Sequence, residues 1–561
     1  MPLLNRVKMF RLLIIRFLLD LQELQSNPEA KYDFNGEKSC IKKVFLRGKI
    51  FNDSIGFFHY MSSLTRFHFN PLVTILRSVL ASFRRKLRVN YKDERKKIKP
   101  KVDGSAFFGW FVNGASEWMV AMQRKQISIP SDVRVLLDKI RHAGFDVWVV
   151  GGAVRDYLLG VPARDWDLAT NALPGDVISL FQRVIPVGIR HGTVQVLTEE
   201  RSVEVTSYAG RGHEGILAEL GRRDFTVNAI ALAYPTLELI DPFGGREDVA
   251  AGLLRGVGDA TDRFREDPIR TLRAGRFVSV YGFSLETRTF DALKNAVEGL
   301  KTVAIERIRE EMFKLLVGDS FLEAFEWMRR AGVIGIILPE IAQGPPHHAK
   351  AAAHQRTCEH LLRSVQFAPK RVRLRLAALF HDIAVLVQPE LLNAGSLRDE
   401  ASLSARIAAQ VLMRWRAPKK MALQVSKLVE SHISTHRHAW SDAQIRHWLA
   451  KLGIGLTTDL LDLAYADRLS KGVPSDSLQE IELLRRRVHS QMKADAALQI
   501  RDLVVNGHDL IGELNLAPGP VVGKILRELH KVVLNEPTLN DRLILLDHAR
   551  ELMRNDEFQG G

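Results

Sequence analysis

Asp165 and Asp167 are the first residues in this chain whose types and spacing suit chemistry. Within VWVVGGAVRDYLLGVPARDWDLAT (147–170) they stand two apart in an extended run, so both carboxylates leave one face while Trp166 points the other way. Two carboxylates on one rigid face suit Mg²⁺, which takes one or two protein carboxylates and fills its octahedron with phosphate and water. On spacing alone the plainer reading, a helix cap or a solvated strand end, comes first. The pair Gly151-Gly152 just upstream shifts that balance. Glycine lets the backbone approach a triphosphate, and N–H groups at the following helix start face anionic oxygens.

These residues need elements to position them. The pattern predicts a buried strand over 147–150, the glycine turn, a short helix carrying Arg155 and Asp156, and a second strand holding Asp165 and Asp167. Upstream, SDVRVLLDKIRHAG is apolar at helical spacing and ends at Gly144, delivering the chain to the first strand. Downstream, LPGDVISLFQRV reads as an amphipathic helix from a Pro-Gly-Asp signal, and GIRHGTVQVL and RSVEVTSY as strands. Glu204, between Val203 and Val205, faces away from its apolar neighbours, either as a third acidic group near the metals or as a solvent-facing side chain.

The chain has 561 residues, 46% of them hydrophobic, which predicts several domains with their own cores and excludes disordered, fibrous and membrane-spanning classes. Cys40 and Cys358 stand far apart outside any ligand-like spacing, arguing against disulfides and zinc ribbons and for a reducing compartment. The net charge of +15 invites a nucleic-acid partner. Roughly 22 Lys and Arg against roughly 10 Asp and Glu fall in residues 1–118, leaving the rest about +3. In that segment FRLLIIRFLL is broken by Arg16 and falls short of the ~20 apolar residues that span a bilayer. Arg6, Lys8, Arg11 and Arg16, with no acid before Asp20, suit an organelle-targeting helix, while RRKLRVNYKDERKKIKPK reads as a solvated tract. The preferred reading is that Met119 or Met122 is the working start, the preceding residues being an over-extension.

GGAVRDYLLG with RDWDLAT, then GRRDFTVNAIAL, DPFGGREDV and REDPIRTLRAGRF, in that order, resemble the successive motifs of class II tRNA nucleotidyltransferases, the CCA-adding enzymes and their bacterial poly(A) polymerase relatives. The resemblance implies an α+β chain: a small mixed-sheet head, a helical neck and further helices, with template-free addition of CMP and AMP from CTP and ATP to a tRNA 3′ end. It implies Mg²⁺ on Asp165 and Asp167, with Glu204 beside them. Gly151, Gly152, Arg155, Arg222, Arg223, Asp224 and Asn228 would bind nucleotide, reading ribose and triphosphate, and Glu266, Asp267, Arg270 and Arg273 fall in the base-reading motif. The plainer reading of Arg222 and Arg223 is a solvated pair at a helix start. Asp267 and Arg270, three apart with Pro268 in the first turn, are expected on one helix edge, the plainer reading being an ordinary ion pair. AIERIREEMFKLL fits the family's supporting helix, with Glu306 and Glu310 structural. One departure is the segment TSYAGRGHEGILAELG, shorter than the family's usual flexible loop and like that of enzymes adding only CC. The poly(A) polymerase branch is disfavoured because GIRHGTVQVL lacks that branch's Arg-Arg-Phe signature.

From about Phe321 the periodicity is helical throughout. There EHLLRSV, LAALFHDIA, SHIS and LAYADRLSKG resemble an HD-type metal-dependent phosphohydrolase domain. The resemblance implies a divalent transition metal on His360, His381, Asp382 and Asp467, with His432 an additional ligand. It departs from the pattern at Ile383-Ala384, where Gly-Lys is common, and at Glu400, where many members carry histidine. The final stretch resembles the C-terminal module of bacterial CCA enzymes, with a turn at Pro518-Gly519-Pro520 and a helix presenting Lys524, Arg527, His530 and Lys531 to tRNA phosphates. The expected divisions are an extension (1–118), head (119–255), neck with the base-reading motif (256–340), HD-type domain (341–475) and tRNA-binding tail (476–561). The expected enzyme is cytoplasmic, with no membrane or stable protein partner; its rivals are an HD-dominated RNA-end phosphohydrolase and a non-catalytic RNA-binding protein.

Overall fold

The structure, a computed structural model, describes residues 127–163, 165–186, 188–189, 192–342, 348–388, 396–432, 440–493 and 497–554. All lie in the second of two units, Met1–Val120 and Ala121–Gly561. The targeting helix, the start at Met119 or Met122, and Cys40 lie outside the described residues.

Val133, Leu136, Leu137 and Ile140 repeat at helical spacing and form the buried side of α1 (Ser131–His142). The chain then enters β1 (Val147–Val150), α2 (Gly152–Leu158), β2 (Asp167–Thr170), α3 (Pro174–Leu180), β3 (Val184–Ile185), β4 (Thr193–Leu197), β5 (Ser202–Ser207), α4 (Gly212–Gly221), β6 (Ala231–Ala233) and β7 (Leu239–Ile240). The seven strands form one mixed sheet in the order β3-β4-β5-β2-β1-β6-β7. Alternate residues of each strand serve opposite faces. Val149, Trp166, Leu168, Val203 and Val205 pack under α1 and α3 with Leu137, Ile140 and Val177. On the other face Val150, Ala169 and Ala231 meet Ile216 and Leu220 of α4.

Three boundaries differ from the sequence reading. The second strand begins at Asp167, so Asp165 sits in its lead-in. Helix α3 stops at Leu180, because Phe181 turns extended and Val184–Ile185 joins the sheet edge as β3. The short segment after β5 is mostly helix, since burying Ile216 and Leu220 gives α4 a core-facing side.

The neck comprises α5 (Gly245–Ala251), β8 (Leu253–Leu254), α6 (Ala260–Glu266), α7 (Ile269–Tyr281), β9 (Ser284–Leu285), α8 (Thr287–Ala296), α9 (Ile305–Leu316) and α10 (Phe321–Ala331). Among the described residues no strand follows Leu285. The body contains α11 (His348–Phe367), α12 (Val372–Phe380), α13 (Ile383–Val387), α14 (Leu397–Arg414), α15 (Lys419–Ser431), α16 (Asp442–Leu452), α17 (Ile454–Lys471) and α18 (Ser475–Lys493). One apolar cluster joins neck and body, including Phe277, Met312, Phe325, Phe380, Trp415 and Leu449. At that junction the buried Arg375 donates to the carbonyls of Leu316, Gly318 and Ala368. Burial pushes its pKa down to about 10, while carbonyls at the C-terminal end of α9 receive its charge.

The tail carries α19 (Gly507–Leu514), α20 (Pro520–Asn535) and α21 (Arg542–Leu552) around a separate core. Gly519 and Pro520 open α20, as the turn predicted. Lys524, Arg527 and Lys531 are exposed on it. His530 is not: it is buried beside Leu529, and its Nε2 lies 2.9 Å from the Ala497 carbonyl. It serves the tail core instead of a basic face.

Candidate functional site

The pairing of β2 builds an acidic centre. Antiparallel to β1 it sets Asp167 opposite Val150, next to the glycine turn; parallel to β5 it sets Asp167 opposite Glu204. Residues paired across a ladder share a face, so Glu204 joins Asp167 on the side away from Trp166. Asp165 stays exposed in the lead-in. Burial and the nearby Glu204 and Asp165 charges push the Asp167 carboxyl up to about 6, against the pull of Arg223 and Arg273. This oxygen-only set of like charges fits a hard divalent cation such as Mg²⁺.

Gly151 caps α2 with φ +69, in the region glycine favours. A Cβ there would fall 2.7 Å from Arg223 Nη1 and 3.3 Å from Asp167 Oδ2, so the missing side chain lets Arg223 pass beside the aspartate. Arg222 and Arg223 follow the C-terminal end of α4, not a helix start. Asp224 accepts from Asn228 Nδ2 (2.9 Å) and pairs with Arg273 Nη2 (2.8 Å). Burial works against its charge, but Arg273, Asn228 and the Phe225 N–H hold its carboxyl below the usual range.

Arg155, expected at the nucleotide, is held by neighbours inside the fold. It is 5% exposed, and its guanidinium donates to Asp156, to Asn228 Oδ1 (2.6 Å) and to Tyr281 Oη (2.6 Å), lying 4.2 Å from the Tyr281 ring centroid. With its donors so engaged, it braces α2 and the Asn228 turn against α7, and Gly152 starts that braced helix.

The segment expected to read the base is a break between helices. Helix α6 ends at Glu266, Asp267 is extended, and α7 starts after Pro268. Asp267 and Arg270 therefore do not share a helix edge, and neither pairs with the other. Arg307 of α9 grips Asp267 through both oxygens (3.1 and 2.7 Å). Arg270 donates to the carbonyls of Arg263 and Arg222 and to Glu266. Arg307 was absent from the sequence reading; its only signal was a polar position beside Glu306 on an amphipathic helix. Glu306 bonds Arg416 of the body (2.6 Å) and Glu310 bonds Arg309 (3.3 Å), structural contacts both.

A second cluster sits in the body. Ligand atoms of His360, His381, Asp382 and Asp467, from α11, the α12–α13 junction and α17, lie within 4.8 Å of one another. Nε2 of His360 is 3.1 Å from Asp467 Oδ1 and 3.3 Å from Asp382 Oδ2; His381 Nε2 is 3.2 and 3.4 Å from the same atoms. His381 Nδ1 lies 2.9 Å from the Ala378 carbonyl, which can only accept, so Nδ1 donates there and the ring is oriented with Nε2 toward the two carboxylates. His360 Nδ1 meets Ser470 Oγ at 2.6 Å. His432 Nε2 reaches the other Asp382 oxygen at 3.2 Å. Burial and the Asp382 charge push the half-buried Glu400 above the usual carboxylate range. Two imidazoles and two carboxylates fit a divalent transition metal.

No described helix is long and apolar enough to cross a membrane. The "Poly A polymerase head domain" profile matches residues 147–255, and the "tRNA nucleotidyltransferase domain 2" profile matches 397–549. The CCA-adding enzyme of Geobacillus stearothermophilus is 32% identical over 425 residues, 72% of this chain and 93% of that one. That of Geobacillus thermodenitrificans is 31% identical over 437 residues, 75% and 97% of the two chains. The crystal structure of the Bacillus stearothermophilus CCA-adding enzyme in complex with CTP superposes with a TM-score of 0.54 at 29% identity, covering 76% of this chain and 98% of that one. Identity above 30% across nine tenths or more of each of these two relatives shows the family, and the chain belongs to the CCA-adding enzymes among tRNA nucleotidyltransferases.

Proposed function

We propose that this chain builds the 3′-terminal CCA of tRNA, adding CMP from CTP and AMP from ATP without a nucleic-acid template. The observation that carries the proposal is the register setting Asp167 against Glu204 and beside Gly151 and Arg223. The family is metal-dependent; Mg²⁺ bound by Asp165 and Asp167 would activate the primer 3′-hydroxyl and neutralise charge on the leaving pyrophosphate. Arg223 faces the triphosphate, held in line by the open space at Gly151. Asp267 accepts from the exocyclic amine of cytosine or adenine, and Arg270 donates to a ring acceptor. Uracil and guanine do not present an amine beside an acceptor in that order. Arg307 and the Arg222 carbonyl hold these two selectors before nucleotide arrives. The scarcity of cysteine supports action in the cytoplasm.

Asp165→Ala combined with Asp167→Ala should abolish incorporation of CMP and AMP into a tRNA lacking CCA, with unchanged circular dichroism. Retained incorporation contradicts the metal assignment.

The body supports a second activity. His360, His381, Asp382 and Asp467 form an HD-type metal centre that hydrolyses phosphates at RNA ends. Metal analysis of the full chain should find a divalent ion that His381→Ala with Asp382→Ala removes, and phosphate release should survive Asp165→Ala. Absence of the ion in wild type refutes this reading.

A further inference from the structure

We infer that Lys471 is the phosphate-binding cation of the body centre, a role that rests on the metal-centre reading above. Lys471 is the last residue of α17, one turn beyond Asp467, and its Nζ lies 2.8 Å from Asp467 Oδ1. That oxygen also faces His360 and His381 at 3.1 and 3.2 Å, so the ammonium touches the atom a metal would claim. Its side chain is 44% exposed, whereas that of Asp467 is 5% exposed: the lysine approaches from the solvent side and marks the open mouth of the cluster. The neighbouring Arg468 is buried, and its guanidinium turns away to Ser477 and the Ala464 carbonyl.

Charge gives this placement a purpose. Asp382 and Asp467 together cancel a divalent ion, so the loaded centre alone has little net attraction for a phosphate dianion, and the acidic Glu400 lies alongside. Once Asp467 ligates the metal, two cations crowd one oxygen. The long, flexible lysine stem lets the ammonium swing outward by one side-chain rotation and stay at the mouth. There it meets the non-bridging oxygens of an incoming phosphate through charge-assisted hydrogen bonds. In the metal-free chain it serves instead as a counter-ion to the ligand carboxylate. Lys471 is thus a binding residue for the phosphate group, whether free or on an RNA end.

The test uses the full chain with Asp165→Ala and Asp167→Ala to empty the head's cation site, compared as wild type at 471, Lys471→Met and Lys471→Arg. Titration calorimetry first measures Mn²⁺ binding; wild type should bind it, and Lys471→Met should bind it severalfold more tightly because a competing cation is gone. Failure of wild type to bind the ion overturns the metal-centre reading itself. The Mn²⁺-loaded proteins are then titrated with inorganic phosphate and with a short RNA ending in either a 3′-phosphate or a 3′-hydroxyl. Lys471→Met should weaken phosphate binding about tenfold, Lys471→Arg should largely restore it, and the 3′-hydroxyl RNA should not distinguish the three. Loss with the 3′-phosphate RNA assigns the site to RNA ends, and loss with inorganic phosphate alone assigns it to the free ion. Equal phosphate affinity in wild type and Lys471→Met, with the metal bound, overturns the role of Lys471.

Discussion

At the residue scale the acidic centre places function against stability. Asp167 is pushed up to about 6 in the fold from 3.8, so between those values the native chain holds a proton that the unfolded chain has lost. Stability of the metal-free protein therefore falls as pH rises through that window. Asp167→Asn removes the effect: with chelator at pH 7 its Tm should exceed that of wild type, and the gain should disappear below about pH 4. Arg307 carries a separate prediction. Its pair with Asp267 is largely exposed, so Arg307→Ala should change Tm little. It should lower kcat/KM for CTP and ATP by roughly tenfold or more and raise UTP and GTP incorporation, because the selecting carboxylate is no longer held. Burial pushes the Cys358 thiol up to about 11, and alkylation at pH 8 should be slow until the chain is unfolded.

At the scale of elements, the glycine turn and the helix break hold these residues in place. Gly151→Ala strains a φ of +69 and drives a methyl against Arg223. It should cost about 1 kcal/mol of stability and raise KM for both nucleotides. Local spacing made part of this legible: the strand, glycine turn and aspartate run form a short pattern whose geometry follows from period and backbone freedom, whereas the His-Asp set, spread over separate helices, was implied only by resemblance to HD-type domains. Partners distant in sequence were not legible. Tyr281 meets Arg155 across 126 residues and Arg307 meets Asp267 across 40, and nothing in either local pattern specifies the other. The same blindness gave His530 to a basic face and left the bracing contacts of Arg155 unseen. Burial of two apolar residues turned the segment before Arg222 into helix α4, which its glycines and polar residues had obscured.

At the scale of the molecule, one apolar cluster carries the neck into the body, while the tail keeps a core of its own. Lys524 and Arg527 are exposed on α20, and a contribution to tRNA affinity through phosphate neutralisation is the expectation to be tested. Changing both to Ala should weaken binding of unrelated tRNAs alike and flatten the salt dependence by roughly one to two units of log–log slope. The central claim concerns the reaction itself. Its most direct measurement takes tRNA transcripts ending before the first C, after CC and after CCA, each incubated with CTP, ATP or both and resolved at single-nucleotide length. Growth to CCA and then a stop is expected from either incomplete end. A stop at CC, or ATP tailing without limit, would contradict it.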